Sequence, residues 1–464
     1  MLASRAMPSA RGWLLALALL SAAPSALAQT AWVLPPSAIL TNYDRVLIGQ
    51  EEALESGAFV ARVADSTAGW YNPAGLALVR RSVIGASATG YELDAIDLGE
   101  IQTSTGKITL AQLPSYFGAV LGGDVIASDA WRIGFSATKP TSWSTAVNGA
   151  TLTGSEVNYS SRVSISTLVP TISAAWAALP SLRLGAGFGV AITSISQAQS
   201  LSMRGVDAGQ ATSILRTADG TGTTWGGQGT LGVQWDVTSR LIAGACLRSP
   251  TFTILSTGSL SYQNVQVTQS PPGQTPAGPT TYESYFSDPN AKFTYKLPWS
   301  ANVGLAWREP RFDVEVDLRF HTAIPQYTLL ASNQMLKQTT SFPGGAQTYK
   351  EVPFPGLTYG ATAVWNVAVG GRYQLDEAWS LHGGFYTDFA PADTGSTDIF
   401  RSVNLYGLTA GAKLKGDHLS GSLGVGLSWG RSDDFVLGDP NGTAVSTRLS
   451  IFSISLLYAI AYRF

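Results

Sequence analysis

RLSIFSISLLYAIAYRF, residues 448–464, closes the chain and decides its fold. Phe452, Ile454, Leu456, Tyr458, Ile460, Tyr462 and Phe464 form one unbroken apolar row with aromatic tips. Ile451, Ser453, Ser455, Leu457, Ala459, Ala461 and Arg463 form the row between. A period of two sends such rows to opposite faces of a strand. The stretch is too long for an ordinary strand and too regularly alternating for a transmembrane helix. A strand with lipid outside and water inside accounts for it; the edge strand of a soluble sandwich is the less favoured reading.

The other end of the chain agrees. Arg5 and Arg11 precede or flank the apolar run Trp13–Leu20, and Ala26-Leu27-Ala28 offers small residues for cleavage before Gln29. This pattern predicts a secretory signal peptide over residues 1–28, since the apolar core is too short to span a bilayer. Its removal takes away two arginines and no acid, moving the formal charge from −2 to about −4. Charged residues are few, no basic cluster suggests nucleic acid, and no later stretch is apolar enough for a membrane helix. The single cysteine, Cys246, has no internal disulfide partner. An exported, aromatic- and glycine-rich chain of this kind points to the bacterial outer membrane.

Residues 29–81 differ in character from the remainder of the chain. Asn42–Glu55 reads as a helix, with Asn42 as cap and Ser56-Gly57 as stop. Asn72-Pro73 followed by Gly75 predicts a turn. From residue 82 alternation recurs in fourteen segments: 82–93, 108–121, 131–142, 163–178, 182–198, 224–236, 240–262, 292–308, 311–322, 361–375, 378–388, 402–414, 418–431 and 448–464. An even strand number suits a single-chain outer-membrane barrel. Leu419, Leu423, Val425, Leu427 and Trp429 should face lipid, with Ser420, Ser422, Gly424, Gly426 and Ser428 inside. Phe312, Val314, Val316, Leu318 and Phe320 alternate with Asp313, Glu315, Asp317, Arg319 and His321, a row that a wet bore accepts and a soluble core does not. Short connections alternate with long ones, the latter at 199–223, 263–291, 323–360 and 432–447. That spacing predicts periplasmic turns and extracellular loops, with both barrel ends on the periplasmic side. The expected architecture is an all-β membrane protein: a 14-stranded antiparallel transmembrane β-barrel over residues 82–464, with an N-terminal plug or hatch containing short helices over 29–81.

The stretch Ala64-Asp65-Ser66-Thr67-Ala68-Gly69-Trp70-Tyr71-Asn72-Pro73-Ala74-Gly75-Leu76-Ala77, placed just before the first strand, resembles the signature of the FadL/TodX (OMPP1) family of outer-membrane transporters of long-chain fatty acids and other hydrophobic compounds. Weaker echoes are Leu113-Pro114-Ser115-Tyr116 and Leu297-Pro298-Trp299-Ser300-Ala301. The resemblance implies that Asn72, Pro73, Ala74 and Gly75 lie in the barrel and help shut the path to the periplasm. It implies outer collecting loops at 199–223 and 263–291, and a kink in the third strand opening a side exit, for which Pro140 is the candidate. The reading beside it makes Pro140 a strand end. The segment Gln29–Ala61 is longer than the family's usual N-terminus.

Apolar residues on otherwise polar connections mark a capture surface for a hydrophobic small molecule or fatty acid: Leu201, Met203, Val206, Ile214 and Leu215, with Leu329, Leu330, Met335, Leu336, Phe342 and Phe354. Their alternative role is to pack the loops together. Asp313, Glu315, Asp317, Arg319 and His321 either bind a polar head group or, the favoured reading, pair across the barrel, with Arg132, Arg183, Arg240 and Arg372 as partners. With only His321, His382 and His418 and no nucleophile motif around them, catalysis is not expected. No metal or cofactor signature is present. The expected partners are the lipophilic cargo, outer-membrane lipid and lipopolysaccharide, and the barrel-assembly machinery, which would read Phe464; a monomer is expected. The alternative function is a porin-like barrel, or a structural or adhesive one, without hydrophobic cargo.

Overall fold

The bilayer supplies no hydrogen bonds, so a sheet that crosses it must close on itself. In the computed structural model it does so with fourteen antiparallel strands. Residues 39–464 are described apart from 99–100, 111–114, 127, 129, 149–154, 208–209, 271–272, 274–276, 355, 394–399 and 439–443. The expected signal peptide, the first residues of the expected hatch and Leu113-Pro114 lie outside the described residues.

The strands are β1 (Val83–Leu98), β2 (Ile101–Leu110 and Tyr116–Leu121), β3 (Trp131–Asn148), β4 (Ser155–Leu179), β5 (Leu182–Asp207), β6 (Gln210–Asp236) and β7 (Leu241–Arg248 and Phe252–Gln269). They continue with β8 (Pro279–Phe293 and Ser300–Arg308), β9 (Phe312–His321 and Ile324–Ala331), β10 (Leu357–Ala361 and Val364–Gln374), β11 (Trp379–Asp388), β12 (Asn404–Lys415), β13 (Leu419–Gly438) and β14 (Ala444–Arg463). An outer hairpin, Met335–Ser341 with Gln347–Pro353, stands between β9 and β10. Val83 of β1 lies opposite Arg463 of β14 and Asp97 opposite Ser450, so the ring has no free edge.

The two faces follow the alternation. On β14, Phe452, Ile454, Tyr458, Ile460, Tyr462 and Phe464 are exposed to lipid, while Ile451, Ser453, Leu457, Ala459 and Ala461 are buried. On β9, Phe312, Val314, Val316 and Leu318 are exposed and Asp313, Glu315, Asp317, Arg319 and His321 are buried. Cys246 is a buried inward residue of β7. Among the described residues no helix is long and apolar enough to cross a membrane.

The expected long loops are largely strand. β5 and β6 run on through 199–223 and pair until Asp207 meets Gln210. β7 with β8 and β13 with β14 likewise extend into 263–291 and 432–447, and 323–360 holds the outer parts of β9 and β10 with their hairpin. The cause is a change in which face is greasy. Low on β5, Leu184 and Phe188 point outward; higher up, the inward positions Leu201 and Met203 are the apolar ones. Once the outer face meets water, the outward apolar row stops, and the strand signal fades although the ladder continues.

Inside the ring, residues 39–79 form an inner segment. Ile39–Leu40 pairs in parallel with Phe400–Arg401. α1 (Glu51–Leu54), α2 (Ala68–Tyr71) and a 3-10 helix (Pro73–Leu78) come next, and α3 (Gly123–Ile126) lies in the connection after β2. The helix expected over 42–55 shrinks to one turn. Asn42, instead of capping it, donates its side-chain N–H groups to the Asp388 and Val403 carbonyls at 2.7 and 3.0 Å, so tertiary bonds override local propensity. The Ser56-Gly57 stop holds: both adopt left-handed φ, +57° and +75°, and the Gly57 N–H donates to the Glu52 carbonyl at 2.7 Å.

Because Val425 faces lipid, Val425→Arg should destabilise the folded barrel by about 2–4 kcal/mol. Denaturant titration of the refolded protein in liposomes measures it; an unchanged midpoint would place Val425 elsewhere.

Candidate functional site

A carboxylate inside the barrel needs partners that replace water. β9 presents its acids in a row, and the inner segment supplies the partners. One Asp317 carboxylate oxygen accepts the backbone N–H groups of Phe59 and Val60 at 3.0 and 3.3 Å. Glu315 accepts the Ala61 N–H at 2.6 Å and the Arg62 side chain at 2.9 Å, and Arg62 also pairs with Glu55. Arg319 reaches Asp44 at 3.4 Å, and His321 Nε2 lies 3.2 Å from the same carboxylate. Burial alone would raise the Asp44 carboxyl, but Arg319 and His321 outweigh it and hold it well below the usual carboxylate range. Asp313 instead pairs within the wall, with Arg372 at 2.7 Å.

Glu315, Asp317, Arg319 and His321 thus bond chiefly across the gap to the inner segment rather than across the barrel. Of the four arginines expected as inward partners, only Arg372 serves the row, at Asp313, and Arg240 is exposed in the turn before β7. Arg183 pairs with Asp236, Arg240 with Glu309, and Arg132 bonds the Val79 carbonyl. The sequence pattern assigned no pairing role to Asp44, Glu55, Arg62, Lys413 or His382. Arg62 carried a signal, as a lone cation in a run of small residues. Glu51 meets Lys413 at 2.9 Å and Glu55 meets His382 at 2.6 Å, across more than three hundred residues where no local pattern exists. Glu51, Glu55 and His382 lie close enough to hold a metal ion, yet their ligand atoms are engaged by one another and by Arg62 and Lys413.

The four residues of the expected gate are buried against the wall. The Asn72 side chain donates to the Val60 carbonyl of the inner segment and the Val233 carbonyl of β6, both at 2.8 Å, and accepts the Ala74 N–H at 3.2 Å. Pro73 starts the 3-10 helix, where its missing N–H is no loss. Glycine lets the wall come this close. A Cβ on Gly185 would fall on the Pro73–Ala74 backbone, and one on Gly232 would lie 2.8 Å from the Pro73 ring.

Pro140 is in the body of β3, not at its end, and the β3–β4 register shifts between Thr138 and Thr141. The ladder slips where the donor N–H is missing. Leu201, Met203 and Ile214 are buried inward residues of the outer barrel, with Met203 opposite Ile214; Leu215 is exposed, and the Val206 side chain lies outside the described residues. Leu329, Leu330, Leu336 and Phe354 are also buried, whereas Met335 and Phe342 are exposed.

Within the inner segment the Thr67 hydroxyl lies 2.8 Å from Glu52 and 2.6 Å from Asp65. One hydroxyl has one proton to donate, so one of the two carboxyls is best served by keeping its own. Burial, reinforced by Asp65, raises Glu52 well above its ordinary range, and burial raises Asp65 as well. An acid that holds its proton more tightly when docked favours docking fully below the ordinary carboxylate range and loses that contribution as pH rises toward its raised value. Amide protection over residues 52–67, corrected for intrinsic exchange, should therefore fall from pH 5 to pH 8. Glu52→Gln should flatten the profile; an unaltered slope would assign it to other groups. Glu315→Ala leaves the Ala61 N–H unpaired and Arg62 short of a partner, and should lower protection of residues 59–62 by about 3 kcal/mol. Val316→Ala, on the lipid face, is the control that leaves it intact.

Known proteins share this fold. Over residues 45–400 the chain matches the family described as outer membrane protein transport protein (OMPP1/FadL/TodX). No curated protein matches it. A FadL homologue of Pseudomonas aeruginosa is 15% identical, with 93% of this chain and 100% of that one covered and a TM-score of 0.58. The toluene transporter TodX of Pseudomonas putida is 15% identical over 91% and 99%, with a TM-score of 0.54. The toluene transporter TbuX of Ralstonia pickettii is 15% identical over 90% and 98%, also at 0.54. Identities this low speak for the fold alone. A match over most of the sequence to the family itself says more: this outer-membrane barrel belongs to the OMPP1/FadL/TodX family of transport proteins.

Proposed function

We propose that the protein takes up hydrophobic molecules, long-chain fatty acids or related lipophiles, by passive diffusion guided by affinity, with the inner segment as a movable hatch. The observation that supports this most is the lining of the outer barrel. Leu201, Met203, Ile214, Leu260, Tyr262 and Phe286 are buried inward residues on β5 to β8, and Phe286 stacks on Phe354 with ring centroids 4.5 Å apart. Long hairpins mark this as the extracellular end. A polar pore has no use for an apolar inner lining at the end where solutes arrive.

An acyl chain gains about 0.8 kcal/mol for each methylene it buries there. That suffices for capture without an energy source and slows release, so a second element has to let the cargo go. Asn72, Pro73, Ala74 and Gly75 are the part of the hatch we assign to that step, and the β3 slip at Pro140 is the assigned side exit. Structural relatives named for toluene transport fit the same class of cargo.

Leu201→Asn, Met203→Gln and Ile214→Asn combined should lower cellular uptake of a fluorescent long-chain fatty acid about tenfold, since each removes apolar contact. Heat-modifiability on gels reports that the barrel is intact. Unchanged uptake would reject the capture row, and a large steady ion current from the wild-type protein in planar bilayers would favour an open porin instead.

A further inference from the structure

Ser380 and His382 stand two apart on the inward face of β11, and the Ser380 hydroxyl lies 2.8 Å from His382 Nε2. On the other side of the ring, Nδ1 lies 2.6 Å from Glu55 of the inner segment. All three residues are buried. Glu55 uses its second oxygen on Arg62. A carboxylate paired in that way accepts hydrogen bonds, so the proton between it and the ring sits on Nδ1. Nε2 keeps its lone pair, and the Ser380 hydroxyl donates to it. This is the order in which a serine becomes a nucleophile: a base within reach of the hydroxyl and an acid that fixes the tautomer of the base. Docking of the inner segment completes it, since Glu55 and His382 are 327 positions apart in the chain.

Ser380 also lines a cavity of about 860 Å3. This is within the size range of small-molecule sites, roughly 300–1,000 Å3. The turn residues Arg311, Leu375 and Glu377 belong to its lining, which places it at the periplasmic end of the barrel. A molecule from the periplasm reaches it without passing the inner segment. Apart from Phe59, Ala64 and Leu375 the lining is polar, so water has access as well. Lys413 of β12 is directly opposite Ser380, Arg372 of β10 is opposite His382, and both line the same cavity. Lys413 holds Glu51, and Arg372 holds Asp313 and Glu51. A lysine has three donors and an arginine five, so each keeps N–H groups for a further oxygen. An oxyanion formed on a carbonyl at Ser380 would meet positive charge from the strand on either side.

We propose that Ser380, His382 and Glu55 form a hydrolytic site for short-chain esters that enter from the periplasm, an activity separate from uptake. Ser380 Oγ attacks the ester carbonyl carbon as its proton passes to His382 Nε2. The C–O bond to the alcohol breaks, and His382 gives the proton to the departing alkoxide, which leaves the acyl group on Ser380. Water then attacks the acyl carbon and yields a proton to Nε2; the bond to Oγ breaks, and the proton returns to Oγ. Ester and water become acid and alcohol, and nothing else is consumed. Glu55 takes no proton and is a positioning residue, acting through the tautomer of the ring. The polar lining and limited volume favour a short acyl group over a long one.

Treating the purified mature protein with a fluorophosphonate probe and mapping the adduct by mass spectrometry tests it, with heat-modifiability on gels reporting an intact barrel for every variant. Ser380 should carry the label, and p-nitrophenyl butyrate should be hydrolysed faster than p-nitrophenyl palmitate. Ser380→Ala, which removes a single oxygen, should abolish both the label and the butyrate hydrolysis. His382→Gln should slow labelling about a hundredfold, the lower end of what a positioned base contributes. In Glu55→Gln the amide oxygen stays on Arg62 and the amide N–H turns to the ring, so the ring proton moves to Nε2 and the base is lost. The ring 15N shifts of His382 report that move, and labelling should fall with it. A purely structural Ser380–His382–Glu55 network would leave Ser380 unlabelled. That result overturns the proposal, as does butyrate hydrolysis that survives Ser380→Ala, or labelling at an undiminished rate once the tautomer has flipped.

Discussion

An ionised carboxylate cannot be left inside a barrel without a cation or an N–H to replace the water it gave up. β9 carries Asp313, Glu315 and Asp317 inward along one strand, so three such demands fall on one strip of wall. Arg372 meets the first from the neighbouring strand. The other two are met by Phe59, Val60, Ala61 and Arg62, whose backbone and side chain have no strand ladder of their own to satisfy. The acids need the inner segment as much as it needs them. Position and register of residues 58–62 come from this mutual requirement rather than from any propensity of the segment itself.

Close approach is the second constraint, and charge alone would not provide it. Bonds near 3 Å between two backbones require that no side chain stand between them. Gly185 and Gly232 clear the wall beneath Asn72 and Pro73, and Gly370 and Gly384 do the same beneath Glu55. Higher up, the inward row changes to Leu201, Met203, Leu260 and Tyr262. The same alternation therefore gives three surroundings along one barrel: a lipid-facing belt outside, a glycine-lined seat of mixed polar and apolar contacts within, and an apolar lining above.

Much of this was legible in the sequence because period-two alternation is a local signal. The terminal row ending at Phe464 and the acidic row of β9 each announced both their faces. The strand number was legible too, but strand length was not. The outer parts of β5 and β6 lack an apolar outward face, so they read as loop although their ladder is unbroken from Leu182 to Asp207 and from Gln210 to Asp236. The motif around Asn72 indicated where the inner segment turns. Its partners, Val233, Glu315, Lys413 and His382, come from strands far along the chain, and pairing across such distances leaves no trace in a window of residues. Asn42 shows the converse: its capping signal was real chemistry, a side chain seeking backbone groups, but the groups it found were the carbonyls of Asp388 and Val403.

The seat is mixed: Ile48, Phe59 and Leu76 of the inner segment pack with Tyr116 and Val120 of the wall, Leu54 packs with Tyr386 and Leu457, and ion pairs and N–H bonds lie among them. Burying apolar surface stabilises a contact in proportion to area, without strict geometry. Ion pairs taken from water return much of their attraction as lost hydration, so their net contribution is small although their geometry is strict. Arg62 between Glu55 and Glu315, Arg319 beside Asp44, and Lys413 on Glu51 fix one orientation of the inner segment. Water entering the bore would solvate each of these groups as soon as it parted from its partner. The ion pairs therefore specify where the segment sits, and its apolar contacts supply most of what a movable hatch of the kind proposed would have to release.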